Sequence, residues 1–379
     1  FGKREWLNSL KLRASYGAVG NSAIDPYQTI AGLSKYDYLF GEDASNKFFA
    51  YRPSMIPNKD LGWEISRTAN FGVDFGLWNN RISGYIEGYI TKTSDLLMER
   101  MLPFFTGFSK VWQNIGKTEN KGIELNIQAN TLKTKSFSWE TTVTFARNWN
   151  KITELLGGGD IRNNSWFIGK PLQVHYNYEM IGVWQLGEEK EAQKYGAIPG
   201  DIKVKDQNND GSIGELDKVI LGQKDPKIIA SLLNSFRFGA FDASINLNMN
   251  FGSLIHPNTY ASLITRDGLR WMPSNFKYWT PDNPTNEYTR ADKLSGYDPF
   301  AGTGGYMKGD YIKIQDITLG YDFSKIMPKN WKILRARLYA QVRNLGYIYK
   351  ACKNDVSPEA PDFDYNIPTT YTMGINIDF

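Results

Sequence analysis

Apolar and polar side chains alternate with a period of two along much of this chain, the signature of strands with one apolar face. Leu334, Ala336, Leu338, Ala340 and Val342 interleave with Arg335, Arg337, Tyr339, Gln341 and Arg343. The same pattern runs through Phe71/Val73/Phe75/Leu77, Ile123/Leu125/Ile127/Ala129, Phe241/Ala243/Ile245/Leu247/Met249/Phe251 and Tyr371/Met373/Ile375/Ile377/Phe379. Near Gln315 the phase slips, from Ile312/Ile314 to Ile317/Leu319/Tyr321/Phe323, which predicts a β-bulge.

About ten strands are predicted, at 9–17, 63–77, 82–98, 121–130, 137–150, 226–238, 241–252, 310–323, 333–345 and 370–379. Their connections alternate strictly. Long ones (18–62, 99–120, 151–225, 253–309, 346–369) follow each odd-numbered strand, and short ones (78–81, 131–136, 239–240, 324–332) follow the even-numbered strands up to the eighth. An antiparallel meander built this way carries every long loop on one rim, the layout of an outer-membrane barrel. A soluble β-sandwich also alternates, but many of these strands approach the 9–11 residues of a tilted membrane-crossing strand. The polar sets hold Arg, Asp, Asn and Gln, as a wet lumen would, and Trp63, Trp78, Trp139, Trp149 and Tyr321 sit near strand ends like an interfacial girdle. The expected fold is therefore all-β, a transmembrane antiparallel β-barrel of about ten strands. More than half the chain lies in the long loops, which at that length are functional.

Composition agrees. Among 379 residues there are 11 Trp, 22 Tyr, 21 Phe and 35 Gly, as β-structure favours. Mean hydropathy is −0.45 and no stretch approaches a spanning helix, yet alternating strands cross a bilayer at low average hydropathy. A net charge of +4 gives no nucleic-acid footprint. A lone Cys352 excludes an internal disulfide framework, and His175 and His256 leave little for histidine-dependent catalysis. Phe1 in place of an initiator Met suggests a piece of a longer polypeptide.

Two features carry candidate chemistry. Asp206, Asn208 and Asp210, then Gly211, Ser212 and Asp217, have the spacing of a calcium loop, with Asp where such a loop usually ends in Glu. The expected ion is a structural Ca2+ pinning an extracellular loop, held by those four side chains and the Ser212 carbonyl; the alternative is a solvated Asx/Gly turn. Loop aromatics, notably Trp166, Tyr178, Trp271 and Trp279, could stack on sugar rings or peptide side chains. Their alternative is local packing or contact with a partner protein. Gly157–Gly159 lacks any phosphate-loop context.

Several segments resemble the SusC/RagA-like TonB-dependent transporters of the outer membrane. They are Leu7–Gly17, Asn58–Glu64, Asn114–Gly116 with Asn120–Leu125, Pro199–Lys203 running into Asp206–Gly211, and Gly309–Ile314 before Thr318–Tyr321, with Phe379 last. The resemblance implies a 22-stranded barrel with an amino-terminal plug, of which residues 1–379 would be the carboxyl-terminal portion, without the plug or the earlier strands. It implies a bacterial outer-membrane importer, not an enzyme, that takes up oligosaccharides beneath a SusD-like surface lipoprotein, gripping that lid through loops 151–225 and 253–309. TonB would act through the missing amino-terminal region, the wall would contact outer-membrane lipid, and Phe379 would mark the strand read during membrane insertion. An oligopeptide importer of the same family is the alternative, and a passive porin or a barrel enzyme the next.

Overall fold

The computed structural model describes residues 6–22, 29–30, 32–39, 47–264, 276–290, 300, 302–324, 326–328, 333–353, 356–362 and 367–378. Ten strands form one sheet in chain order: β1 (Leu7–Asn21), β2 (Glu64–Leu77), β3 (Ile82–Ser94), β4 (Lys117–Lys133), β5 (Phe137–Glu154), β6 (Ile228–Phe238), β7 (Phe241–Phe251), β8 (Tyr311–Asp322), β9 (Arg335–Lys350) and β10 (Thr370–Asp378). Every neighbouring pair is antiparallel, so the meander expected from the sequence is present, and its long connections share one rim. Among the described residues no helix is long and apolar enough to cross a membrane.

The outward set is apolar and exposed: Leu12, Phe71, Ile86, Ile123, Leu319, Leu338, Met373, Ile375 and Ile377 all stand clear of the protein. An exposed apolar band of this extent is stable only against lipid. The inward set is polar, and inward glycines admit long neighbours. A Cβ at Gly320 would lie 2.5 Å from Nη2 of Arg337, and one at Gly122 would lie 2.5 Å from the Tyr89 ring. Arg337 and Tyr89 can therefore lie flat across the adjacent strand.

The predicted bulge falls on Gln315. Register passes from Asn246↔Asp316 to Leu247↔Ile314, and on the other side from Asp316↔Arg343 to Ile314↔Gly346. β3 ends at Ser94 rather than 98 because Asp95 takes a left-handed φ of 57° and turns the chain into a hairpin, Leu97–Met101 with Lys110–Asn114. Sheet strands β1, β4 and β5 run several residues past their expected ends because rim backbone pairing continues where the apolar alternation has stopped.

The buried core lies mostly outside the sheet. Val174, Val183, Trp184, Ile202, Val204, Tyr260, Trp279, Tyr288, Cys352 and Val356 are all buried, and all belong to the last three long loops. A barrel wall has lipid on one side and lumen on the other, so compact packing can only form where loops meet.

Candidate functional site

The lumenal face is a set of self-satisfied polar groups. Arg13 bridges Asp74 and Glu87 at 2.9 Å each, and Asn70 donates to the same Glu87. Arg337 forks onto Asp242, with Nε to Oδ1 at 2.8 Å and Nη2 to Oδ2 at 2.5 Å. Asn246, Asn248 and Asn250 donate to Asp316, Gln315 and the Tyr311 hydroxyl on β8. Nearer the long-loop rim, Lys313 is buried against Glu359, 2.6 Å away, and Glu359 also accepts from Tyr347 (2.8 Å) and Tyr311 (3.3 Å). Bidentate and networked pairing fixes the height and direction of each inward side chain.

Above the rim, the described residues of the loops 155–227 and 252–310 pack into one plate. The hairpin Met180–Val183 with Ile202–Val204 carries Trp184, which stacks on Tyr195 at 6.0 Å and lies under the Lys203 ammonium at 4.3 Å. Lys203 also bonds Glu188 at 2.7 Å and holds that carboxyl below its ordinary range. Gln185 receives the Trp279 indole N–H at 2.9 Å, while Asn286 accepts the Val183 amide at 3.1 Å. Both histidines serve this architecture. His175 Nε2 meets the Leu254 carbonyl at 2.9 Å, and burial pushes its pKa down to about 4, so it is neutral and donates. His256 Nε2 meets the Gly302 carbonyl at 2.8 Å.

Between the two loops opens a cleft of about 460 Å³, lined by Glu179, Met180, Leu221, Leu254, Asn286 and Tyr306 among others. That volume suits a small-molecule or oligomer subsite, with an apolar floor and a few convergent polar groups. Glu179 is held by Gln207 at 2.8 Å and Lys205 at 3.4 Å, and the Tyr306 hydroxyl accepts from Asn177 at 3.1 Å. Burial raises the Tyr306 pKa, so its phenol stays protonated.

The structure separates the four aromatic candidates. Trp279 is only 6% exposed, so as placed it is a packing residue and not a stacking platform: its ring closes over Gly200, where a Cβ would be 2.6 Å away. Tyr178 packs edge-on against Phe300 at 5.1 Å, and Trp166 closes a short bridge to Ile161. Trp271, like Phe379, lies outside the described residues. None of the three described candidates, Trp166, Tyr178 and Trp279, lines the cleft. Glu179 could have been noticed beside Tyr178, but Asn286 and Tyr306 arrive from a distant loop and carry no local signal.

Exposed aromatics gather elsewhere. The hairpin Leu33–Leu39 with Lys47–Pro53 presents Tyr36, Tyr38, Phe48, Phe49 and Tyr51, and Phe104 and Phe105 at the next hairpin's tip are 99% and 89% exposed.

In the loop at 206–217 the expected donors are spent on backbone. Asp206 accepts the amides of Asn209 (2.6 Å) and Gly211 (2.9 Å), Asp210 accepts the Ser212 amide and hydroxyl, and buried Asp217 accepts those of Gln207 (2.9 Å) and Gly214 (2.7 Å). The Ser212 contacts hold the Asp210 carboxyl below its ordinary range. Among the described residues no three His, Cys, Asp or Glu side chains converge as a metal cage. The donors have the right kinds and order for calcium, but Asp210 Oδ1 and Asp206 Oδ2 each already accept two hydrogen bonds. As placed, they do not close around an ion.

A family model for the β-barrel of TonB-dependent receptor-like proteins matches residues 5–345. TonB-dependent receptor P26 of Formosa agariphila is 28% identical over 99% of this chain and 40% of its own length. TonB-dependent receptor SusC of Bacteroides thetaiotaomicron is 28% identical over 98% of this chain and 38% of its own. The chain thus spans about two-fifths of the length of these curated relatives. The solved RagAB peptide transporter superposes on the whole chain, and on 42% of that chain, with a TM-score of 0.78 at 23% identity, a likeness of fold.

Proposed function

Because the chain belongs to the TonB-dependent receptor β-barrel family of the outer membrane, we propose that it forms part of the wall and the roof of an energised importer of oligosaccharides. The observation that carries this reading is the cleft between loops 155–227 and 252–310, set in a plate beside the lumenal rim. Its polar lining is neutral or acidic, and side chains such as Asn286, Thr303, Tyr306 and Glu179 suit the hydroxyls of a glycan. A large cargo cannot diffuse through a plugged barrel, so inward release needs work, which we assign to TonB acting outside residues 1–379.

A SusD-like surface lipoprotein is the proposed lid. The plate, built from the loops expected to grip it, offers the breadth such a partner needs. The aromatic hairpins 33–53 and 97–114 add the exposed apolar surface that protein contacts prefer. An oligopeptide cargo is the second reading. Glu179 is equally suited to an ammonium group, and the RagAB structure of similar fold is that of a peptide transporter.

The test is uptake of size-matched labelled oligosaccharides and oligopeptides by cells with and without TonB, comparing the parent with Asn286→Ala. Glycan uptake that needs both TonB and Asn286 supports the proposal. Uptake unchanged without TonB would favour a passive porin, and cargo turnover by the purified protein would favour an enzyme.

Calcium in the 206–217 loop is a separate proposal, resting on donor order and on Gly211 at a φ of 84°. Binding would have to draw Asp206 and Asp210 inward. Calorimetry with calcium chloride, with Asp206→Asn as control, should give heat only for the parent, alongside slower proteolysis of the loop. No heat at millimolar calcium would leave a plain hydrogen-bonded turn.

A further inference from the structure

The outward face of β2–β5 changes character just below the long-loop rim. Strand register defines its rows. One row reads Leu12, Val73, Ile86, Leu125 and Phe145, all apolar. Two steps up, Tyr16, Ala69, Ile90, Lys121 and Trp149 stand side by side. The next row is Ala18, Arg67, Lys92, Glu119 and Lys151. Arg147, on the same face, lies 4.6 Å from the Trp149 ring.

Five cations thus meet one carboxylate. Glu119 forms ion pairs with Lys121 at 3.1 Å and Lys151 at 3.2 Å, and Arg67 and Lys92 have no ion-pair partner among the described residues. A cleft of about 660 Å³ opens here, lined by Tyr16, Arg67, Ala69, Ile90, Lys92 and Glu119 among others. The row of Arg147 continues across β6 and β7 as Ile228 and Phe251, with no charge.

The geometry points to a binding site for a phosphorylated glycolipid of the outer leaflet on the outer wall of β2–β5. Its phosphates would lie on Arg67, Lys92 and Lys151, and its acyl chains on Ile90, Ala69 and the apolar rows beneath. Four adjacent strands separate Arg67 from Lys151 by about 14 Å, taking an inter-strand spacing of about 4.8 Å. That span accepts two phosphates on one disaccharide headgroup. Tyr16 and Trp149 flank the cations at the height where amphipathic rings settle in a bilayer interface. The site faces lipid, so it is independent of cargo, of lid and of TonB.

The protein, extracted from the outer membrane in detergent and shown folded by its heat-modifiable mobility, is incubated with diphosphorylated or dephosphorylated lipid A. Native mass spectrometry then counts retained lipid. The diphosphorylated form should be retained preferentially, and Arg67→Gln/Lys92→Gln/Lys151→Gln should weaken its retention by about a hundredfold. The charge-keeping Lys92→Arg/Lys151→Arg pair should retain it, as should Lys190→Gln on the exposed helix Glu189–Lys194. Excess pyrophosphate should not displace it, because the chains contribute to the hold. Equal retention of both lipids, parent-like retention by the triple glutamine variant, or ready displacement by pyrophosphate would each overturn the site.

Discussion

Glu359→Ala should open the segment 351–362 without disturbing the wall. Glu359 joins three groups that descend from different places: Lys313 on β8, Tyr347 on β9 and Tyr311 at the start of β8. The Lys313 side chain is 4% exposed and the Glu359 side chain 20%, so water screens the pair little. Removing one partner of a buried pair costs about 3–5 kcal/mol, because the remaining charge is left desolvated. Glu359 is the wetter partner, which places the expected cost near about 3 kcal/mol, or about two orders of magnitude in the opening equilibrium. The Ala351 amide, bonded to the Asp310 carbonyl at 2.9 Å, reports that opening by hydrogen exchange. Lys313→Met in the same background removes the stranded charge and should recover most of the protection. Glu359→Gln keeps an acceptor and should fall between. An Ala351 exchange rate raised less than about fivefold by Glu359→Ala, or no recovery with Lys313→Met, would show that packing and not the ion pair holds this segment.

Three further outcomes follow from the geometry. Cysteines at Leu334, Leu338, Ile375 and Ile377 should resist water-soluble thiol reagents in intact membranes, whereas Asn376→Cys reacts; equal labelling would contradict the lipid-facing assignment. Native Cys352, buried with its thiol donating to the Val356 carbonyl at 3.2 Å and its pKa raised by burial, should stay unlabelled in the parent and react in Glu359→Ala. His175 has a folded pKa of about 4, below its ordinary 6.5, so its contribution is present above pH 6.5 and lost as pH falls towards 4. At pH 5 the loss is about 2 kcal/mol, read as protection factors in Val174–Tyr178 (exchange rates corrected for the intrinsic pH dependence) lower than at pH 7.5; a His175 titration midpoint near 6.5 would refute it.

The wall was legible in the sequence because a lipid-facing strand writes its environment residue by residue. Leu338 and Ile375 must be apolar and Arg337 and Asn376 are free not to be, so a period of two survives without knowledge of any partner strand. Even the bulge at Gln315 was visible, since an extra residue flips the phase of everything after it. The roof carries no such code. Trp279 reads like a stacking platform but ends buried against Gly200 and Gln185, and Asn286 reads like nothing yet lines the cleft with Glu179, more than a hundred residues away. Loop side chains find partners across long separations, and no local periodicity records those meetings. The cations on β2–β5 stand between the two cases. Each was printed in the sequence at an outward position, but only the register of four strands placed Arg67, Lys92 and Lys151 in one row.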